Sequence, residues 1–521
     1  MPDVMALHAR CVQDFRLPPN TGCCPVSELI TIPTESPETV QCGADSRRED
    51  PSRAAVVPPM PPMASDRIGG IQMVWALRRN AYSAFPPRCL DEPVVELRVA
   101  GRHIVLASSP DAIRHIMITH ADDYQRLALG RRVLGPIVGR GLLVSEGESW
   151  RRQRRAMAPA FTPRNVPVMA QHIIRCTEVA CDRLDRSRGT PVNLLHELQI
   201  LSLEIAATSL FSLEASTFGA ELRKMVSGYM DTIGRLYPSD ILLPDGVPTL
   251  LRARRALFRR RWTRLIHSII EMRAGRARAD VPRDLFDLLR EAHESDREDL
   301  LADEVSTMIV AGHETTALTL FWMCTLLAKA PQWQTAVAEE ASGVDLSAEG
   351  AATSLPKLTI TRAVVEETLR LYSPAFMTGR FAKRTREICG TRIAKGSIVL
   401  IPYWLLHRNP RWWPNSAAFD PSRFLSGAEP DRFTYLPFGV GRHVCIGAQL
   451  AMSEAILAIA RLLQKFTIAM TGDRPVLPVG TLSTRPDHAP AFVLQAREAA
   501  LFHPSGFPPP VLPVVQPLLQ I

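Results

Sequence analysis

One cysteine of this chain lies in a glycine-rich loop that leads directly into an apolar helical segment. Residues 437–447 read PFGVGRHVCIG, and three glycines surround Cys445. A thiol at a helix N-terminus meets backbone N–H donors, and Arg442 and His443 stand beside it, so the sequence favours the thiolate form. The glycines also let a flat or bulky partner approach the backbone. A single buried cysteine is usually a small hydrophobic residue, but the glycine content makes that interpretation weak.

A second reactive group interrupts the longest apolar stretch of the chain. Residues 305–330 are mostly apolar, yet AGHETT occupies positions 311–316 near their middle. Ionisable residues at the centre of a lipid-facing helix are costly, so we predict a long helix through a protein core that ends before Pro331. Ala311 and Thr315 are four residues apart and share one face. The alternative is a threonine bonded to its own helix beside a paired carboxylate.

The third signal is a pair of opposite charges, Glu367 and Arg370, on another predicted helix. Glutamate and arginine three residues apart form a common surface ion pair, so the pair by itself indicates little. The pair becomes informative because it lies in the chain between the two motifs described above.

Together these segments resemble the cytochrome P450 family, in its soluble bacterial form. The loop fills every position of the haem-ligand signature Phe-x-x-Gly-x-(Arg/His)-x-Cys-x-Gly, although His443 stands where arginine is commoner. Residues 311–315 match the oxygen-activation motif (Ala/Gly)-Gly-x-(Asp/Glu)-Thr, and the charged pair matches the Glu-x-x-Arg motif. The three motifs occur in the family's order. The resemblance covers roughly residues 65–500.

The resemblance implies that Cys445 is the axial thiolate of haem b, iron protoporphyrin IX, and that this electron-rich ligand favours O–O cleavage. It implies that Thr315 hydrogen-bonds O₂ beside Ala311 and that Glu314 relays protons from solvent. Arg423 would join Glu367 and Arg370 in a buried structural triad. Further haem contacts are expected from Phe438, Gly439, His443, Gly447, Trp150, Arg154, Arg380 and Ala311.

Two of these haem contacts have a simple geometric basis. Trp150 and Arg154 are four residues apart, so one helix face carries both towards a haem propionate. Arg380, on a predicted strand, matches a second propionate ligand, and arginine suits carboxylates.

The substrate side has no fixed signature. The segments 373–378 and 481–484 contain no charged residue, and we expect Phe376, Met377 and Leu482 to line the substrate. An apolar lining with a few hydroxyls favours an apolar small molecule such as a fatty acid, terpenoid, steroid or polyketide.

The sequence pattern is mostly α-helical with minor β-sheets, and the resemblance implies the cytochrome P450 fold in a single large haem domain. Residues 94–106 alternate like a strand pair, helical patterns run from about 150 to 370, and a last helix covers about 447–465. We expect residues 1–64, with 11 prolines, to be a disordered leader, residues 65–500 to be the haem domain, and residues 501–521 to be a proline-rich tail.

Composition bears mainly on partners. The 521 residues carry a net charge of +8, but only six of the 61 basic residues are lysines, which indicates codon bias. Aromatic residues make up 6%, which disfavours a nucleic-acid binder. Clustered arginines beside Arg154 could steer a separate electron donor, an acidic ferredoxin or flavodoxin with its reductase. This cluster consists of Arg151, Arg152 and Arg155.

The remaining expectations concern location and assembly. We see no signal peptide, no paired C-x-x-C motif and no span, since the apolar segment 68–77 is too short to cross a bilayer. We therefore expect a cytoplasmic monomer that uses O₂.

Other classes of haem protein fit these motifs less well than a monooxygenase does. A haem sensor or carrier would not need both Glu314 and Thr315, and neither would a peroxide-using or isomerising relative.

Overall fold

The computed structural model describes residues 56–99, 101–213, 215, 217–244, 247–274, 284–292, 298–427 and 429–497. Most of the predicted leader and all of the predicted tail lie outside these residues. The chain already contacts the domain at Val56, within the segment expected to be a leader, and the boundary at residue 64 stays a prediction. The Phe419 N–H donates to the Val56 carbonyl at 2.8 Å, and the Ala64 N–H donates to the Phe85 carbonyl.

Helices dominate the described residues, as expected from the sequence. In chain order they are α1 (Gly70–Arg79), α2 (Pro110–Arg114), α3 (Ala128–Val138), α4 (Gly147–Met157), α5 (Val166–Arg186), α6 (Leu194–Phe211), α7 (Gly219–Asp231), α8 (Pro238–Leu242), α9 (Leu250–Ala274), α10 (Leu285–Ala292), α11 (Glu298–Leu327), α12 (Pro331–Ser342), α13 (Ala351–Ser354), α14 (Thr359–Tyr372), α15 (Tyr403–Leu406) and α16 (Ala448–Lys465).

The strands within the described ranges form one five-stranded sheet and three two-stranded pairs. They are β1 (Val94–Val99), β2 (Arg102–Ala107), β3 (Tyr124–Arg126), β4 (Thr378–Ala382), β5 (Arg386–Ile388), β6 (Thr391–Ile393), β7 (Ile398–Ile401), β8 (Phe466–Met470), β9 (Pro478–Gly480), β10 (Thr484–Pro486) and β11 (Phe492–Ala496). The large sheet has the order β1-β2-β7-β4-β3, and only β2 and β7 run parallel within it. The predicted strand pair is the β1–β2 hairpin, in which Val94 faces Ala107.

Helix α11 is the axis of the helical part of the domain. It packs against α6, α14 and α16, and residues 302–310 and 316–327 are buried. Trp322 stacks on Tyr372 of α14 with ring centroids 4.1 Å apart. The apolar run that could have suggested a membrane span therefore crosses a protein core. Among the described helices, α6 alone is long and apolar enough to span a bilayer, and 61% of its apolar window is buried in the protein.

Glu367 and Arg370 form a two-pronged ion pair on α14, and neither side chain is exposed. Arg370 Nε and Nη2 each donate to a carboxylate oxygen of Glu367 at 2.7 Å. The rest of the guanidinium donates to the carbonyls of His407, Ser416 and Ala418. Arg423 Nε lies 3.4 Å from Glu367 Oε1. The structure thus brings the three predicted members of the triad together.

The ion pair also reaches the cysteine loop through one histidine. His407 gives its carbonyl to Arg370, while its Nε2 accepts the N–H of Leu436 at 2.7 Å. Burial lowers the pKa of His407 to about 3, so the ring stays neutral and can accept this bond. Leu436 immediately precedes the loop that carries Cys445. The Glu-x-x-Arg helix therefore fixes the start of the loop.

We expect Arg370→Ala to lower the free energy of unfolding by about 3–5 kcal/mol, because Glu367 would keep a buried charge without its main partner. Urea unfolding followed by circular dichroism would measure the change. Arg423→Gln is the matched control. It removes the longer and partly exposed contact to the same carboxylate, and should cost clearly less. Equal losses in the two variants would contradict the assignment of Arg370 as the main counter-charge.

Candidate active site

The middle of α11 is partly open, although the turns on both sides are buried. Ala311, Gly312 and Thr315 are half-buried, while the residues before and after them are buried. Ala311 has a small side chain and lies one turn before Thr315 on the same face, whereas a Cβ at Gly312 would face Ala206 of α6 at 3.7 Å. The partial exposure of this turn is compatible with the predicted notch, which stays a prediction.

Thr315 uses its hydroxyl within the helix. Its Oγ1 donates to the carbonyl of Ala311 at 2.5 Å, which is the self-bonded arrangement that the sequence left as an alternative. A staggered rotation about χ1 would turn the hydroxyl towards the open side. Thr315 can therefore either stay bonded to the Ala311 carbonyl or present its hydroxyl to the open side of α11.

A simple proton relay from the surface would require Glu314 to be open to solvent, but the structure buries it. Its side chain is about 3% exposed, and Oε1 accepts a bond from Arg485 Nε at 2.7 Å. Ser483 Oγ lies 3.4 Å from the same oxygen. Oε2 is buried and has no hydrogen-bond partner among the described residues. Sequence reasoning missed Arg485, the residue immediately after the uncharged segment 481–484.

The Cys445 loop is shaped by two glycines in the left-handed region. Gly439 has φ +74° and Gly441 has φ +78°, and a Cβ on Gly441 would lie 2.4 Å from the Met117 carbonyl oxygen. These conformations close a turn in which the Cys445 N–H donates to the Phe438 carbonyl at 3.0 Å. Gly447 then forms the N-cap of α16. Glycine is required at 441 both for the backbone conformation and for the close approach.

The environment of the Cys445 thiol differs partly from the sequence expectation. The thiol borders open space, yet the surrounding protein desolvates it and raises the pKa of Cys445, while the Gly447 N–H and Arg154 act in the opposite direction. Arg442 does not support the thiolate, because it pairs with Asp122 at 2.7 Å. A metal ion at the sulfur would supply the missing stabilisation of the thiolate.

His443 lies among four arginines. Burial lowers its pKa to about 3, and the nearby guanidinium groups add to the effect. Its ring meets Trp150 edge-on, with centroids 4.4 Å apart. The neutral ring packs on α4 and does not carry a charge of its own. The four surrounding arginines are Arg126, Arg154, Arg380 and Arg442.

Arg154 and Arg380 are cations without a carboxylate partner in the described part of the chain. Arg154 donates to the Val444 carbonyl at 2.7 Å, and Arg380 donates to the Thr378 hydroxyl and the Gly379 carbonyl. Arg380 is buried. Two desolvated arginines bonded only to neutral oxygens fit a ligand with two carboxylates.

Arg126 was also missed by sequence reasoning. It lies on β3 and donates to the carbonyls of Leu142, Leu143 and Ser145, and it approaches Glu146 at 3.8 Å. It therefore shapes the turn before α4 and adds positive charge beside His443. A lone arginine on a short edge strand has no motif that could have marked it.

The residues described above fit a haem. A cysteine sulfur borders open space, two arginines without a carboxylate stand near its loop, and an open helix turn carries a small residue beside a hydroxyl. Cys445 would hold the iron, and Arg154 and Arg380 would hold the two propionates. Among the described residues no cluster of three histidine, cysteine or acidic side chains offers a competing metal site.

The predicted substrate contacts divide into two groups. Phe376 is buried in a core cluster, with its ring centroid 4.9 Å from that of Tyr82, and it fills the space beside Gly480. Phe376 is therefore buried without a ligand, and its assignment to the substrate stays a prediction. Met377 and Leu482 are half-buried at the edges of two core clusters and stay candidates.

Comparison with known proteins shows the family. The cytochrome P450 family model matches residues 82–489, and this chain belongs to the cytochrome P450 family. It is therefore an oxidoreductase of the monooxygenase type, with a haem cofactor bound through a thiolate.

Its relatives come from plants and bacteria. A cytokinin hydroxylase of Arabidopsis thaliana is 30% identical over 69% of this chain and 72% of its own length. The putative cytochrome P450 132 of Mycobacterium tuberculosis is 29% identical over 80% of this chain and 94% of its own. The cyclooctatin synthase of Streptomyces melanosporofaciens is 31% identical over 70% and 81%.

A solved structure supports the fold. The crystal structure of a cytochrome P450DA heme domain superimposes with a TM-score of 0.69 and covers 86% of this chain and 99% of that one, at 21% identity. The likeness at this identity concerns the fold, and the single large domain with minor sheets agrees with the prediction.

A second buried acid lies close to Thr315. Glu454 on α16 accepts a bond from Thr316 Oγ1 at 2.8 Å, and burial raises the pKa of Glu454 from 4.5 to about 7. At a pH below the pKa of Glu454 in the unfolded chain, this side chain is protonated in both the folded and the unfolded protein. Between the pKa of the unfolded state and that of the folded state, it is protonated only in the folded protein. Stability therefore falls as pH rises through this interval, by about 3 kcal/mol in total.

We expect Glu454→Gln to remove this pH dependence, because the amide can still accept from Thr316 but does not ionise. Urea unfolding between about pH 5 and about pH 8 would show a flatter stability profile than the wild type. Glu349→Gln, at a side chain that is 77% exposed, is the control. An unchanged slope in Glu454→Gln would show that Glu454 does not titrate in this range.

Proposed function

We propose that this protein is a haem b monooxygenase that hydroxylates or epoxidises an apolar small molecule. It would use O₂ and two electrons from a separate redox partner. The observation that carries the proposal is the pair Glu314 and Thr315 at the open turn of α11. A haem that only senses or carries a ligand has no use for a proton-relay acid beside a hydroxyl at this position.

A haem held at this site supplies the activation of O₂ and the insertion of one oxygen atom. Cys445 would ligate it, and Arg154 and Arg380 would orient it through two carboxylates. Thr315 Oγ1 can leave the Ala311 carbonyl and present its proton to the open side of α11. Glu314 Oε2, buried and without a partner, is the atom that can take up a proton and pass it on. The buried turns around this site limit the access of water.

The substrate proposal rests on the lining and on one relative. Met377 and Leu482 are apolar and half-buried, and the segment 481–484 carries no charge. One relative, 30% identical over 72% of this chain, is a cyclooctat-9-en-7-ol 5-monooxygenase of Streptomyces melanosporofaciens, and its name gives an alcohol as substrate. We propose an apolar compound of fatty-acid, terpenoid, steroid or polyketide type. A screen for substrate-induced shifts of the haem spectrum tests this, and the absence of any shift with all four types would refute it.

The electron donor is proposed to be an acidic ferredoxin or flavodoxin. Arg151, Arg152 and Arg155 are exposed on α4, whereas Arg154 on the same helix points to the Cys445 loop. Exposed cations beside the haem ligand would attract an acidic partner and raise its association rate. The expected monomeric state and cytoplasmic location stay predictions.

Cys445→Ala should abolish the red-shifted Soret band that thiolate-ligated haem shows when it is reduced and bound to CO. The wild type should show this band. Alanine removes the only ligand atom while it leaves the glycine turn intact, so the near-ultraviolet circular dichroism should change little. A variant that keeps the band would exclude Cys445 as the ligand.

Thr315→Ala should keep the CO spectrum and uncouple electron use from product formation. The hydroxyl that presents a proton would be lost, so more of the consumed electrons should appear as hydrogen peroxide. Thr319→Ala, one turn further along α11, removes a similar self-bonded hydroxyl and serves as the control. Product yield per electron pair should fall several-fold only in the first variant, and equal yields would contradict the proposed role of Thr315.

A further inference from the structure

Arg485 lies between two carboxylates that belong to different helices. Its Nε donates to Glu314 Oε1 of α11 at 2.7 Å, and its Nη1 donates to Asp231, the last residue of α7. The Glu314 side chain is 3% exposed, that of Arg485 is 14% exposed and that of Asp231 is 54% exposed. The three residues form one chain of ion pairs from the interior of the protein to its surface.

The residue before Arg485 is anchored on the core. The Thr484 carbonyl accepts Trp322 Nε1 at 2.9 Å, its N–H donates to the Pro374 carbonyl at 3.0 Å, and its hydroxyl donates to the Ser373 carbonyl. Thr484 is completely buried. The backbone that carries Arg485 is therefore fixed relative to α11.

Asp231 belongs to a different part of the domain. It ends α7, and the turn that follows α7 is tied to α9, because Arg255 donates to the carbonyls of Ile233 and Arg235. A displacement of α7 and α9 would thus separate Asp231 from Arg485, while Glu314 and Arg485 would stay together.

We propose that Arg485 is a positioning residue for the proton-relay carboxylate Glu314, and that Asp231 shares this arginine so that the position of α7 sets how tightly Glu314 is held. The proposal rests on the proposed function, in which Glu314 must take up and release a proton.

The physical argument is the division of one positive charge between two acids. With Asp231 in place, part of the field of Arg485 is neutralised, and the arginine attracts Glu314 less strongly. With Asp231 withdrawn, the whole positive charge of Arg485 acts on Glu314. His313, the neighbouring titratable side chain, does not replace the arginine, since burial lowers its pKa to about 4 and keeps it neutral. A position of α7 that keeps Asp231 on Arg485 would therefore loosen the hold on Glu314.

Infrared difference spectroscopy of the holoenzyme at pH 7 tests the hold on Glu314 without turnover. Arg485→Gln leaves Glu314 buried without a counter-charge, so a new C=O band of a protonated carboxylic acid should appear. The band should be absent from the double variant Arg485→Gln with Glu314→Gln. It should also be absent from Arg485→Lys, which keeps the charge. Absence of the band from the Arg485→Gln variant itself would overturn the proposal.

Hydrogen exchange and coupling test the role of Asp231. Asp231→Asn should raise amide exchange at the C-terminal end of α7 and lower product yield per electron pair several-fold, with the CO spectrum unchanged. Arg474→Gln, which breaks an exposed ion pair with Asp487 nearby in sequence, should change neither quantity. Unchanged exchange and unchanged yield in Asp231→Asn would refute the sharing of Arg485.

These outcomes can be separated from the proposed function. If Thr315→Ala leaves the product yield per electron pair unchanged, the proposed proton relay is wrong. The infrared and hydrogen-exchange results would still report on the contacts of Arg485. If Thr315→Ala uncouples the enzyme but Asp231→Asn and Arg485→Gln do not, only the present proposal fails.

Discussion

The buried ion pair between Glu367 and Arg370 is the constraint on which the site depends. Two charges removed from water are tolerated only if every remaining donor and acceptor is satisfied. Here the guanidinium binds three backbone carbonyls beyond its carboxylate partner, and the Asp420 N–H donates to Glu367. These bonds dictate the path of residues 407–420. Through His407 and Leu436 the same network sets where the Cys445 loop begins, so the electrostatic demand of one pair positions the proposed haem ligand.

The haem side of the site combines unfavourable features that a ligand would relieve. Arg154 and Arg380 are partly or fully desolvated and meet only neutral oxygens, and burial lowers the pKa of both groups. Burial also raises the pKa of the Cys445 thiol. Two carboxylates and a metal ion would correct all three conditions at once. The fold thus leaves charge imbalances that match the chemistry of a haem.

Two buried glutamates near the open turn of α11 show how a counter-charge determines the role of a carboxyl group. Glu314 faces Arg485, which supplies a counter-charge and connects it to the surface through Asp231. Glu454 meets only the hydroxyl of Thr316, so desolvation dominates and raises its pKa to about 7. Two glutamates that are both nine-tenths or more buried therefore have different electrostatic partners. Only Glu314 is linked by a chain of ion pairs to another helix, α7, so that the position of α7 can affect it.

The sequence by itself determined the family, the mostly helical fold and the residues whose spacing is local. Cys445 with its glycines, the pair Glu314 and Thr315, and the pair Glu367 and Arg370 each lie within one turn of backbone, so their geometry follows from helix and loop rules. The tertiary structure alone decided which distant residues meet them. Arg485 lies 171 positions from Glu314, Arg126 lies on an edge strand, and Phe376 packs on Tyr82. Such contacts depend on how helices and sheet pack together, and no local pattern of residue types records that packing.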